Sequence, residues 1–281
     1  MAPSYPQIVV TGDSISQQAF NIGGYGAALV NAAKRTSSTV GWEASMSNST
    51  PIACFSIDLS HPYLSSNSQQ LLNKLKDDFQ WPNGDIKLIL IHIGTNDATT
   101  RGIQHLSVED FTQNVRAILN HLKATQPAAK IILLTPSIVD VDAWAALGRE
   151  QGMPSEFFEN RTTEAAKRIR DAVVEVAKEA DVGVLDVWKL HEDAVNNGEL
   201  EFRELFSDGL HYTAKGYAYI NKALLQLIST SLPSLSPDTM PEGFTMFAIY
   251  GNENNPEAQR MVRMYMEKTE ADKQAALGNA Q

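Results

Sequence analysis

Four short runs of aliphatic and β-branched residues, Gln7 to Thr11, Ile86 to Ile93, Lys130 to Thr135 and Val182 to Val187, are separated by stretches long enough to hold helices. Strands apolar at nearly every position, rather than at alternate ones, are covered on both faces, as in parallel sheets with helical crossovers. The intervening sequence fits. Tyr25 to Arg35 is alanine-rich, and a further helix is expected around Gln69 to Phe79. Val108 to Lys123 spaces Val108, Phe111, Val115, Ile118, Leu119 and Leu122 as one helical face. Ser155 to Ala180 reads as one long polar-faced helix, and Ala214 to Ser229 as another. This alternation predicts the α/β class: an open, mostly parallel sheet with helices on both faces.

The second strand is the weak place in this pattern. Only Ser38 to Trp42 offers a candidate, and Gly41 to Ser66, Ser-rich, nearly uncharged and interrupted by Pro51 and Pro62, is expected to be an irregular insertion. Residues 1–232 are read as one domain. Residues 233–281 form a C-terminal extension, punctuated by Pro233, Pro237 and Pro241 and followed by helix-forming sequence from Pro256 to Leu277. The Met261, Met264 and Met266 stripe suits a lid or a homodimer contact as well as a merely peripheral helix.

The net charge of −10 opposes tight association with nucleic acid or an anionic membrane, and favours a neutral or weakly polar small-molecule substrate. Cys54, the single cysteine, cannot form an internal disulfide and reads as a small hydrophobe. No apolar run reaches the ~20 residues that span a bilayer. The start, Met1 to Pro6, lacks the basic region of a signal peptide, so a cytoplasmic location without stable membrane insertion is expected.

Three polar turns follow predicted strands or precede a predicted helix. In Gly12-Asp13-Ser14, a serine sits at the carboxyl end of the first strand, where ligands bind in open α/β sheets. Its hydroxyl could attack a carbonyl while its own N–H faces the oxyanion, although Asp13 or Ser14 could equally be a helix cap. In Gly94-Thr95-Asn96-Asp97, Asn96 can offer a side-chain N–H to the same crevice, or simply shape a turn with Asp97. In Asp208-Gly209-Leu210-His211, the carboxylate can hold one imidazole nitrogen while the other faces a nucleophile. His92 lies within an apolar run and reads as a core histidine. His61, His105, His121 and His191 read as surface or core residues. No metal site is expected, because no other His or Cys falls at ligand spacing.

In that order, the three turns resemble the signature blocks of the GDSL or SGNH hydrolase superfamily. Gly23-Gly24-Tyr25-Gly26 is similar to its isoamyl acetate-hydrolysing esterase branch. The resemblance runs from about Gln7 to Pro241. It implies a flavodoxin-like, five-stranded, mostly parallel sheet in a three-layer α/β/α sandwich, lacking a Gly-x-Ser-x-Gly elbow. It also implies Ser14 as nucleophile, His211 as base and then acid, Asp208 as the residue orienting His211, and Ser14 N–H with Asn96 as oxyanion donors. The implied activity is hydrolysis of short-chain, acetate-type esters through an acyl-enzyme, with no cofactor. An acyltransferase or a carbohydrate deacetylase would use the same residues.

One element departs from the family pattern. The block after strand two, whose glycine N–H would add an oxyanion donor, is replaced here by Gly41-Trp42-Glu43-Ala44, leaving Gly41 as the nearest substitute. A lost donor typically costs ~3 kcal/mol of transition-state stabilisation, so a vestigial, noncatalytic binding protein is the rival from another class. Trp144 and Phe157, in the connection after the strand at 130–135, could line an acyl pocket or simply pack.

Overall fold

The computed structural model describes residues 6–34 except 22, 53–56, 66–81 except 78 and 80, and 85–235. The strands are β1 (Pro6–Gly12), β2 (Ala53–Ser56), β3 (Asp85–His92), β4 (Lys130–Leu134) and β5 (Gly183–Leu185). All pair in parallel, in the order β2-β1-β3-β4-β5. Alternate residues of the central strands enter two separate cores. Val9, Ile89, Ile91, Ile131 and Leu133 face α3 (Ser68–Asp77), α4 (Val108–Thr125) and α7 (Thr163–Glu179). Ile8, Val10, Leu88, Leu90, Ile132 and Leu134 face α2 (Tyr25–Lys34), α8 (Val187–Asn196) and α9 (Ala214–Ser231). The parallel sheet covered on both faces, expected from the doubly apolar runs, and the three-layer sandwich implied by the family resemblance are both present, and each fully buried aliphatic side chain stabilises the fold by ~1.5–3 kcal/mol.

Three expectations need correcting. The second strand is Ala53–Ser56, inside the stretch read as an irregular insertion, whereas the Ser38 to Trp42 candidate lies outside the described residues. The predicted helix 155–180 is two helices, α6 (Ser155–Phe158) and α7, separated by Glu159 to Thr162. Tertiary contacts hold this break open. The Asn160 carbonyl accepts from Thr100 N–H at 2.7 Å and Oγ1 at 3.1 Å, Thr99 and Arg161 form an antiparallel bridge, and the Thr162 hydroxyl caps α7 by accepting from Ala165 N–H. Two helices were not expected: α5 (Val141–Glu150), capped by Asp140, and α8, capped by Asp186.

Connections leave the sheet in opposite directions from β1 and β3, which places a crevice at their carboxyl ends. The Gly-Asp-Ser turn leaves β1 there, and the Gly-Thr-Asn-Asp turn leaves β3 beside it.

Candidate active site

Gly12 ends β1 with φ 148°, and a Cβ at this position would lie 1.8 Å from the His92 carbonyl oxygen. Only glycine lets the two strand ends approach this closely. Asp13 N–H and the Ser16 hydroxyl both donate to that same carbonyl, at 3.2 and 3.1 Å. Asp13 Oδ1 accepts from Ile15 N–H at 3.0 Å and so caps α1 (Ser14–Gln18). The cap is thus Asp13, and the Ser14 hydroxyl is left for another partner. Ser14 opens α1, where backbone N–H groups have no intrahelical acceptor.

That partner is His211. Ser14 Oγ lies 2.9 Å from His211 Nε2, and His211 Nδ1 lies 2.6 Å from Asp208 Oδ2. The other Asp208 oxygen accepts from Leu210 N–H at 2.9 Å and His211 N–H at 2.7 Å. Burial opposes ionisation of Asp208, but the bonds and charge of His211 outweigh it and hold the carboxyl below its ordinary range. With Nδ1–H donated to this carboxylate, Nε2 carries the lone pair and accepts the Ser14 proton.

The loop carrying both residues is tied down at several points. Phe206 and Tyr212 form an antiparallel bridge, Ser207 N–H donates to the His211 carbonyl at 2.8 Å, and the Thr213 hydroxyl caps α9. Gly209 has φ 94°, and its carbonyl accepts from Asp140 N–H at 2.9 Å. A Cβ here would meet Asp140 O and Trp144 N at 2.6 Å, so glycine is required where this loop presses on the start of α5. Beneath it, buried Ser137 Oγ–H donates to His191 Nδ1 at 2.6 Å, and His191 Nε2–H donates to Gly216 O at 2.9 Å. His191 is thus a core residue, pushed down to about 4 by burial. His92 is also buried, between the rings of Tyr25 and Tyr212.

Asn96 is 3% exposed, and its Nδ2 donates one hydrogen to the Ser66 carbonyl at 3.0 Å, leaving the other available. Its neighbour Asp97 accepts from Ser68 N–H at 2.9 Å and Oγ–H at 2.6 Å, tying the turn to α3. Burial pushes the Asp97 carboxyl up to about 7, opposed by Ser68 and reinforced by the charge of Asp13. Asp13 is pushed up to about 6 by burial, against the pull of Ile15 N–H, Thr95 and His211.

Arg161, a residue that the sequence pattern did not single out, reaches into this cluster from the break between α6 and α7. It is 7% exposed, donates from Nη1 to Thr95 O and from Nη2 to Asn96 Oδ1 at 3.3 Å, and stands 5.6 Å over the Trp144 ring. Burial pushes it down to about 10, while the charges of Asp13 and Asp208 pull it back up. Trp144 presents its ring edgewise to His211 at 6.2 Å. Phe157 is 43% exposed on α6, whereas its neighbour Phe158 is buried. Gly41 lies outside the described residues. Among the described residues no cluster of three or more His, Cys, Asp or Glu side chains could hold a metal, and no helix is long and apolar enough to cross a membrane.

Residues 10–219 match the model of the GDSL-like lipase/acylhydrolase family. Similar proteins include a GDSL esterase/lipase of Arabidopsis thaliana, 30% identical over 85% of this chain and 91% of its own length. The human isoamyl acetate-hydrolyzing esterase 1 homolog is 28% identical over 83% of this chain and 86% of its own length. The isoamyl acetate-hydrolyzing esterase of Saccharomyces cerevisiae is 25% identical over 84% and 91%. Among solved structures, a lipase/acylhydrolase from Enterococcus faecalis superposes with a TM-score of 0.53 at 21% identity, covering 80% of this chain and 96% of that one.

Proposed function

Because the chain belongs to the GDSL-like lipase/acylhydrolase family, we propose that this ester hydrolase is a serine esterase acting on short-chain acyl esters through an acyl-enzyme. The observation that carries this reading is the unbroken chain from Ser14 Oγ through the His211 ring to Asp208, with contacts of 2.9 and 2.6 Å. His211 Nε2 takes the Ser14 proton as Oγ bonds to the ester carbonyl carbon. The carbonyl π pair becomes the oxyanion, met by Ser14 N–H and the free N–H of Asn96. Collapse of this intermediate expels the alcohol, which takes the proton from His211, and leaves the acyl group on Ser14. Water, deprotonated by His211, then releases the acid. Asp208 keeps the imidazole in the accepting tautomer and stabilises the imidazolium formed twice in each cycle.

Trp144, edge-on to His211, is the proposed wall of the acyl pocket, with Phe157 farther out on the exposed rim. Gly41 is the proposed third oxyanion donor. The substrate proposed is a neutral small-molecule ester of the acetate type, in keeping with the Saccharomyces cerevisiae relative named an isoamyl acetate-hydrolyzing esterase. The test is steady-state and rapid-mixing hydrolysis of p-nitrophenyl acetate, butyrate and octanoate, with isoamyl acetate as a natural-type ester. Turnover with a burst of p-nitrophenol and a decline at longer acyl chains is expected. Folded protein that turns over none of these would instead support the noncatalytic binding reading.

A further inference from the structure

Arg161 is buried in a way that a purely structural arginine is not. Removing a guanidinium from water costs several kcal/mol unless a carboxylate compensates it, so buried arginines are normally paired. Among the described residues, no carboxylate forms an ion pair with Arg161. Its acceptors are neutral: a backbone carbonyl at Thr95, the side-chain amide oxygen of Asn96 and the face of Trp144. Its Nε is buried with no hydrogen-bond partner. Asp13 and Asp208 act on it only through their field.

The break between the two helices carries this side chain. The helix stops at Phe158 and restarts at Thr163, across Asn160 and Thr162, residues of low helix propensity of which Thr162 caps α7. The gap is stitched to the turn that carries Asn96, by Thr100 on the Asn160 carbonyl and by Arg101 Nη2 on the Glu159 carbonyl at 3.2 Å. The Arg149 and Glu159 ion pair at 3.0 Å closes it from α5. Arg161 and the Asn96 turn are thereby held as one unit.

We propose that Arg161 is a positioning residue of the ester-hydrolysing site, clamping the Asn96 amide by its oxygen. This rests on the esterase reading above. Two points fix the amide plane: Oδ1 on Arg161 and one N–H on Ser66 O. The remaining N–H then has one direction. A cation on the amide oxygen also polarises the group, which strengthens the N–H as a donor. The substrate ester is neutral and the tetrahedral intermediate is an anion, so the aimed and polarised N–H of Asn96 gains most when the intermediate forms. An interaction of that kind lowers the barrier to the chemical step and leaves ground-state binding nearly unchanged. The same guanidinium stands over Trp144, whose edge meets His211, so the clamp reaches both the oxyanion donor and the wall beside the base.

The test is a double-mutant cycle of Arg161→Met and Asn96→Ala, with Arg161→Lys as a second variant, on p-nitrophenyl acetate. Arg161→Met is expected to lower kcat about 10²-fold with KM within about threefold of wild type. Arg161→Lys, which keeps the charge but not the fork, should lose about tenfold. Combined with Asn96→Ala, either change should cost little more than Asn96→Ala alone, because both act through one amide. Losses that multiply, or a raised KM at unchanged kcat, would overturn the proposal. If Arg161→Met does not fold, Arg161→Lys decides the matter, and wild-type kcat in that variant would overturn it. Wild-type protein lacking any Ser14-dependent hydrolysis would remove the esterase reading and this inference with it, whereas multiplying losses in an active enzyme remove the inference alone.

Discussion

Replacing Asp208 by asparagine is expected to abolish most activity while sparing the fold, because the carboxylate does two separable jobs. Oδ1 receives two backbone N–H groups, from Leu210 and His211, and Oδ2 receives the imidazole Nδ1–H. In Asp208→Asn, the amide oxygen can keep only one of these places. At the Oδ1 position it retains two bonds worth ~1 kcal/mol each, and the alternative orientation would also set its N–H₂ against two backbone donors. The amide nitrogen therefore faces Nδ1 and donates to it. That reverses the tautomer: Nε2 now carries the proton and donates to Ser14 instead of accepting from it. Recovering the productive tautomer requires breaking the new bond and accepting a donor–donor contact, and the forming imidazolium has lost its counter-charge. Together these raise the barrier by ~5 kcal/mol, about a 10⁴-fold fall in kcat, the size seen for this change in serine triads generally. The backbone bonds survive, so Tm should move by only a few degrees. Hydrolysis of p-nitrophenyl acetate near neutral pH, alongside thermal unfolding, measures both quantities. A variant within tenfold of wild-type kcat would refute the tautomer argument.

Further outcomes follow from the same geometry. Gly209→Ala should lower kcat by about 10²-fold or more and reduce Tm, because its Cβ would press on Asp140 O and Trp144 N and displace Asp208 and His211 together; near-normal kinetics would show that the loop yields freely. Trp144→Ala should shift acyl preference toward longer chains, read from kcat/KM across acetate, butyrate and octanoate, and an unchanged ranking would place the acyl group elsewhere. Asp13 and Asp97 have folded pKa values raised to about 6 and about 7, so each holds its proton more tightly folded than unfolded. Their contribution to stability is present in full below the unfolded value near 4, is lost as pH rises through the folded values, and is absent above them. Asp97→Asn, which keeps the acceptor for Ser68, should therefore gain stability relative to wild type, by roughly 4 kcal/mol, between about pH 4 and about pH 7.5. A Tm difference independent of pH would contradict this.

The central strands were legible because burial on both faces leaves no polar positions, so Ile86 to Ile93 and Lys130 to Thr135 stand out from amphipathic helices. Strand β2 was not, since Ala53 to Ser56 is short and embedded in Ser-rich sequence. The starts of α5 and α8 carry a readable signal: Asp140 and Asp186 each accept from an N–H three residues on, the usual aspartate cap. Ser14, Asp208 and His211, the proposed triad, stand out in the sequence because glycine-containing turns mark them. Arg161 carried no such mark. The break beside it had a local signal in Asn160, Thr162 and Thr163, poor helix formers with Thr162 as the cap of α7, but what holds Arg161 against the Asn96 turn includes bonds from Thr100 and Arg101, about sixty residues away in the chain.

Everything proposed requires the Ser14 hydroxyl to be a nucleophile activated by His211. Incubation of the folded protein with a fluorophosphonate, followed by mass spectrometry of its peptides, measures that property directly. One adduct per chain is expected, on the peptide containing Ser14, formed slowly in His211→Ala and not at all in Ser14→Ala. An adduct on another residue, or ester hydrolysis that persists at the wild-type rate in Ser14→Ala, would contradict it.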